Sequence, residues 1–193
     1  MKNFKNKLLV LLEKFRRAYR LSKFLQQTPC RLEEIDLKNN KVIIHCYVSR
    51  TEMNLSTKDA ISEAKLINSL PSLQACWLGY YYGKSLREGK MSNKKFSKHE
   101  NKHLLLRSSK KRYSIVGLEH RNFMIAYIDL KTRIEHTKPA IELAQDNYFL
   151  ENIGPSQACY IGIWSGIAVA KHGSGILHNE EPQRIAPYLR VVK

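Results

Sequence analysis

A block of the form QACxxGxxxG occurs twice in this chain, and that recurrence constrains the fold more than any other feature. The first copy is Pro71-Ser72-Leu73-Gln74-Ala75-Cys76-Trp77-Leu78-Gly79-Tyr80-Tyr81-Tyr82-Gly83. The second is Pro155-Ser156-Gln157-Ala158-Cys159-Tyr160-Ile161-Gly162-Ile163-Trp164-Ser165-Gly166. Residues of different chemistry in a fixed order and spacing are the signature of an internal repeat. Upstream, Thr57-Lys58-Asp59-Ala60-Ile61 resembles Thr137-Lys138-Pro139-Ala140-Ile141, an offset of 80 that becomes 83 at the QAC block if the second copy carries a three-residue insertion. Each block also follows two strand-like runs around a turn. These are 31–37 and 41–48 about Lys38-Asn39-Asn40, and 113–119 and 123–130 about His120-Arg121-Asn122.

The unit that emerges is a β-hairpin, a helix opening at the Thr-Lys step and a second helix opening at the Pro-Ser step. Ser56 or Thr57 is placed to cap the first helix, Pro139 falls in its first turn in the second copy, and Ser72 and Ser156 are placed to cap the second helix. The expected fold is α+β: a tandem duplication of a ββαα unit with pseudo-twofold symmetry, its hairpins sharing one antiparallel sheet, preceded by a basic amphipathic N-terminal helix. The expected divisions are 1–28 for that helix, 29–89 for the first unit, 90–112 for a basic inter-repeat segment and 113–193 for the second unit. Both units belong to one domain, and 193 residues suffice for a core without metal or disulfide support.

Within the second helix of each unit, residues four apart share a face. Ala75, Gly79 and Gly83 then form a smooth ridge, as do Ala158, Gly162 and Gly166. A glycine inside a helix costs about 0.8–1 kcal/mol relative to alanine, so two per helix require a reason. The expected reason is that the ridges lie against each other near the symmetry axis. Gln74 and Gln157, the polar residues shared at the start of these helices, are expected to cap them or to hydrogen-bond across the axis.

The net charge of +16 is distributed unevenly. Residues 1–27 hold eight Lys/Arg and one Glu, and 84–113 hold eleven Lys/Arg and two Glu. Everything else balances, with fourteen of each sign. Two basic segments on a neutral body point to a polyanionic partner. The expected contacts to nucleic acid, RNA or DNA, are Lys14, Arg16, Arg17, Arg20, Lys23, Lys94, Lys95, Lys98, Lys110, Lys111 and Arg112. No base-reading signature accompanies them, so recognition of backbone and shape is expected. In the first segment Phe4, Leu8, Leu11, Leu12, Phe15 and Tyr19 recur at helical spacing, which offers an alternative: docking of that stripe on an anionic membrane surface or in a protein assembly.

Enzymatic signatures are few. His99-Glu100-Asn101-Lys102-His103 has the HExxH form of a zinc site, but it lies among lysines and outside both repeats, and it is read as chance. Cys76 and Cys159 fall in apolar helices and are read as packing residues. No catalytic residue, metal ligand or cofactor is assigned. The four cysteines form no CxxC pair, and reduced thiols in a cytoplasmic protein are expected rather than a disulfide framework. The apolar run Leu8 to Leu12 is too short for a secretion signal, and the run 158–170 is too short to span a bilayer.

Overall fold

A computed structural model describes residues 29–87, 111–119, 121–172 and 190–192. The expected N-terminal helix lies outside these residues, as does most of the basic inter-repeat segment. Alternation sets the strands: in Lys41-Val42-Ile43-Ile44, Val42 and Ile44 are wholly buried while Lys41 faces solvent, and Ile125, Tyr127 and Asp129 are buried on alternate positions of their strand.

The first run of elements is β1 (Cys30–Asp36), β2 (Lys41–Cys46), β3 (Thr51–Ser56), α1 (Thr57–Ser62), α2 (Ala64–Ser69) and α3 (Ser72–Arg87). The second is β4 (Tyr113–Glu119), β5 (Met124–Asp129), β6 (Ile134–Pro139), α4 (Ala140–Gln145), α5 (Asn147–Glu151) and α6 (Pro155–His172), followed by β7 (Arg190–Val192). Each element of the second run through α6 begins 83 residues after its counterpart. The fold is therefore α+β, with two antiparallel meanders and helices.

Several expectations need correction. Each run has a third strand and its first helical region is two short helices, so its pattern is βββααα rather than ββαα. The hairpins do not share a sheet: one sheet has the order β3-β2-β1-β7 and the other β4-β5-β6. The strand that extends the first sheet, β7, pairs parallel with β1 although it follows the second run. The resemblance between residues 57–61 and 137–141 is out of register, because α4 opens at Ala140, opposite Thr57, with no insertion.

Equivalent positions repeat in detail. Left-handed φ angles occur at Asn40 and Arg50 in the first run and at Phe123 and Arg133 in the second, each pair 83 apart. The amide of Thr57 donates to the Asn40 carbonyl, and that of Ala140 to the Phe123 carbonyl, both at 2.9 Å. The break between the short helices falls at Glu63 and Asp146, both extended, whose side chains accept from the amides of Lys65 and Phe149. At the α1 start Ser56 is the cap, accepting from the Asp59 amide at 3.0 Å, while Pro139 holds that position in α4 without a side-chain bond. One continuous buried cluster draws on both runs, from Leu32, Ile44 and Ile67 to Ile125, Leu150 and Ile161.

Candidate functional site

The two long helices form the centre of the molecule. A Cβ added to Gly79 would stand 2.1 Å from the carbonyl oxygen of Cys159, and one on Gly162 would stand 1.9 Å from that of Cys76. One turn on, Gly83 meets the carbonyl of Ile163 and Gly166 that of Tyr80, each at 2.1 Å. The contacts are reciprocal and advance together along both helices, so α3 and α6 run side by side in the same direction. Ala75 and Ala158 are fully buried on the same helices. Backbone-to-backbone approach leaves no room for any side chain, and the glycines meet that steric demand as small residues do wherever helices pack this tightly.

The serines expected as helix caps have another task. Ser72 Oγ donates to the Ile153 carbonyl at 2.7 Å, and Ser156 Oγ donates to Asn68 Oδ1 at 2.7 Å, so each ties the start of its helix to the other run. The glutamines reach from the helices to the strands. Gln74 Oε1 accepts from the Leu32 amide at 2.8 Å, and Gln157 Oε1 accepts from the Ile115 amide at 3.4 Å. Both amides sit where the hairpin register slips by one residue, at Leu32/Glu34 and at Ile115/Gly117.

The open end of each hairpin carries a side-chain clasp. In the second hairpin Arg112 sends Nε and Nη2 to Asp129 Oδ2 at 3.0 and 2.8 Å, and Nη1 to the Tyr148 hydroxyl at 2.8 Å. Its guanidinium also stands 5.1 Å from the Tyr113 ring centre. This pairing holds the buried Asp129 carboxyl below its ordinary range and raises the guanidinium further above its own. In the first hairpin the equivalents of Tyr113 and Asp129 are Cys30 and Cys46, whose sulfurs lie 2.6 Å apart as free thiols.

The expected nucleic-acid contacts Lys14, Arg16, Arg17, Arg20, Lys23, Lys94, Lys95, Lys98 and Lys110 lie outside the described residues, as does the segment from His99 to His103. Lys111 and Arg112 lie within them, and both bond inside the molecule, Lys111 Nζ to the Glu151 carbonyl at 2.8 Å. The described residues hold sixteen Lys/Arg against twelve Asp/Glu, which leaves seventeen against five for the rest of the chain.

Cys76 and Cys159 are buried at the helix pair, and removal from water pushes the Cys76 thiol up to about 12 and the Cys159 thiol higher still. Neither is an accessible nucleophile. Among the described residues no cluster of three or more His, Cys, Asp or Glu is placed to hold a metal ion, and no helix is long and apolar enough to cross a membrane. Of the three consecutive tyrosines, Tyr81 and Tyr82 are buried and Tyr80 is half-buried.

Sequence patterns do not reveal the Cys30–Cys46 pair or the Asp129 partner of Arg112. Their only trace in the sequence is a position at the two ends of a predicted hairpin. Compared with family models, with curated proteins and with solved structures, the chain matches none.

Proposed function

We propose that the chain is a tandem duplication of a βββααα unit, with a pseudo-twofold axis running along α3 and α6, and that it acts as a non-enzymatic nucleic-acid-binding accessory or regulatory protein of the cytoplasm. The constant spacing of 83 residues, the reciprocal glycine contacts and the paired register slips support the duplication.

The partition of charge carries the functional reading. The described residues, sixteen Lys/Arg against twelve Asp/Glu, leave seventeen cations and five anions to the rest of the chain, including the expected basic N-terminal helix and most of the inter-repeat segment. A field of that sign attracts phosphate backbones and releases their counterions. Arg112 roots the end of the inter-repeat segment on the second sheet through Asp129, and Lys111 on α5 through the Glu151 carbonyl. Lys94, Lys95, Lys98 and Lys110 then serve as phosphate contacts from a fixed attachment point.

Equilibrium binding of labelled single- and double-stranded RNA and DNA across a salt series tests this reading. Replacing those four lysines with glutamine should reduce the log–log salt slope by about 2.8–3.6, since each phosphate neutralised by a lysine adds about 0.7–0.9 to it. Arg112 is kept, because its removal would leave Asp129 unpaired. An absence of binding at physiological salt, together with binding to phosphatidylserine vesicles that persists at high salt, would replace this reading with membrane docking through the N-terminal stripe.

A further inference from the structure

We propose that Cys30 and Cys46 form a covalent modification site, at which a low-molecular-weight disulfide converts the two thiols into a cross-strand disulfide closing the open end of the first hairpin. Cys30 and Cys46 are direct partners in the β1–β2 ladder. The next pair outward is hydrogen-bonded, the Tyr47 amide donating to the Pro29 carbonyl at 2.8 Å. Ladder alternation therefore makes Cys30–Cys46 a non-hydrogen-bonded pair, the kind in which Cα atoms approach to about 4.5 Å and side chains lie closest. That separation falls within the range of natural disulfides. The sulfurs already stand 2.6 Å apart, inside ordinary nonbonded contact, so bond formation requires little movement of the strands.

The second hairpin shows what this position does. There the equivalent pair is Tyr113 and Asp129, and the end of the hairpin is held by Arg112. Pro29 stands in place of Arg112 in the first hairpin and supplies no cation, so the thiol pair is the group available to close it.

Access favours Cys46, which is partly exposed, whereas Cys30, Cys76 and Cys159 are 5%, 3% and 0% exposed, and Cys30 is reached through its contact with Cys46. The chemistry is thiol–disulfide exchange. Burial and the adjacent Cys30 push the Cys46 thiol up to about 11, so it is its minor thiolate fraction that attacks one sulfur of the small disulfide, forming a mixed disulfide and expelling one thiolate. The Cys30 thiolate then attacks the Cys46 sulfur, forming the protein disulfide and expelling the second thiolate. The two protons given up by the protein thiols go to the two leaving groups. The protein pair is oxidised by two electrons and the small disulfide is reduced to two thiols.

The test uses the full chain, reduced, desalted and incubated with oxidised glutathione, then alkylated under denaturing conditions and mapped by mass spectrometry. The expected product has lost two hydrogen atoms, carries a Cys30–Cys46 cross-linked peptide, and has Cys76 and Cys159 alkylated. Dithiothreitol should reverse it. The Cys30→Ser chain should instead accumulate a stable glutathione adduct on Cys46. Wild-type protein that keeps Cys30 and Cys46 alkylatable, retains a glutathione adduct without closing, or cross-links through any other cysteine would overturn the proposal. The wild-type measurement decides the matter even if the variant fails to fold.

Discussion

Gln74 Oε1 accepts a buried hydrogen bond of 2.8 Å from the amide of Leu32, at the point where β1 slips by one residue against β2. Because Leu32 and Ile44 form a non-hydrogen-bonded pair, the Leu32 amide faces away from β2 and takes its partner from α3. The slip has a consequence two residues away. In the register kept by Ile35↔Val42 and Asp36↔Lys41, Cys30 would face Tyr47 and Cys46 would face Arg31. The extra residue at Glu33 brings the two cysteines opposite each other.

Replacing Gln74 with leucine keeps the bulk but leaves the Leu32 N–H buried without a partner. The expected loss is about 1–3 kcal/mol, read from the urea midpoint. The same change at Gln157, whose bond to Ile115 is longer at 3.4 Å, should cost less. Q74L protein should also form the Cys30–Cys46 disulfide more slowly, while equal rates would show that the register does not depend on this bond.

The glycine contacts predict a sharp asymmetry. Gly162→Ala places a methyl 1.9 Å from a backbone carbonyl oxygen on α3, and the helices must separate. A loss of about 3 kcal/mol or more is expected in chemical denaturation. Gly117→Ala is the control: its added Cβ would sit 3.7 Å from the Ala126 Cβ, an ordinary contact, and its effect should stay within about 1 kcal/mol.

Asp129 should shape the acid limb of the stability profile. Arg112 lowers its carboxyl pKa in the folded protein, so the stabilisation is complete above the unfolded value near 3.9 and is lost as pH falls through the lower folded value. Thermal midpoints of wild-type and Asp129→Asn proteins should differ by a constant amount above about pH 5 and converge below about pH 4. A gap that persists in strong acid would point to packing rather than charge.

Arg133 is exposed and holds φ at 61°, a conformation that strains a residue with a Cβ. Arg133→Gly relieves the strain while adding freedom to the unfolded chain, and a net gain of about 0.5–1 kcal/mol is expected from calorimetry. Phe123 has the same strain at φ 53° but buries its ring near Trp164, with centroids 6.1 Å apart. Its replacement by glycine should therefore destabilise the protein.

The recurrence of the long helices, their glycine faces and the four strands of the two hairpins were legible in the sequence, because each of these leaves a local pattern. Val42 and Ile44 alternate with the less buried Lys41, Ile43 and His45, and the QAC block keeps helical spacing. The third strands were not legible. In Thr51–Ser56 only Met53 and Leu55 alternate, both half-buried among polar residues, and Ile134–Pro139 is largely exposed, so neither strand stands out as an apolar run and each is secured by pairing with β2 or β5. The resemblance between residues 57–61 and 137–141 misleads for the opposite reason: a short likeness of residue types carries no register.

The register slips, the separation of the sheets, and the pairing of Cys30 with Cys46 and of Arg112 with Asp129 arise only from packing. A one-residue slip reassigns every partner beyond it. Here the slips coincide with hydrogen bonds that the Leu32 and Ile115 amides donate to Gln74 and Gln157, each 42 residues away along the chain. No local pattern encodes such a bond, because it forms only when the helices and sheets pack together.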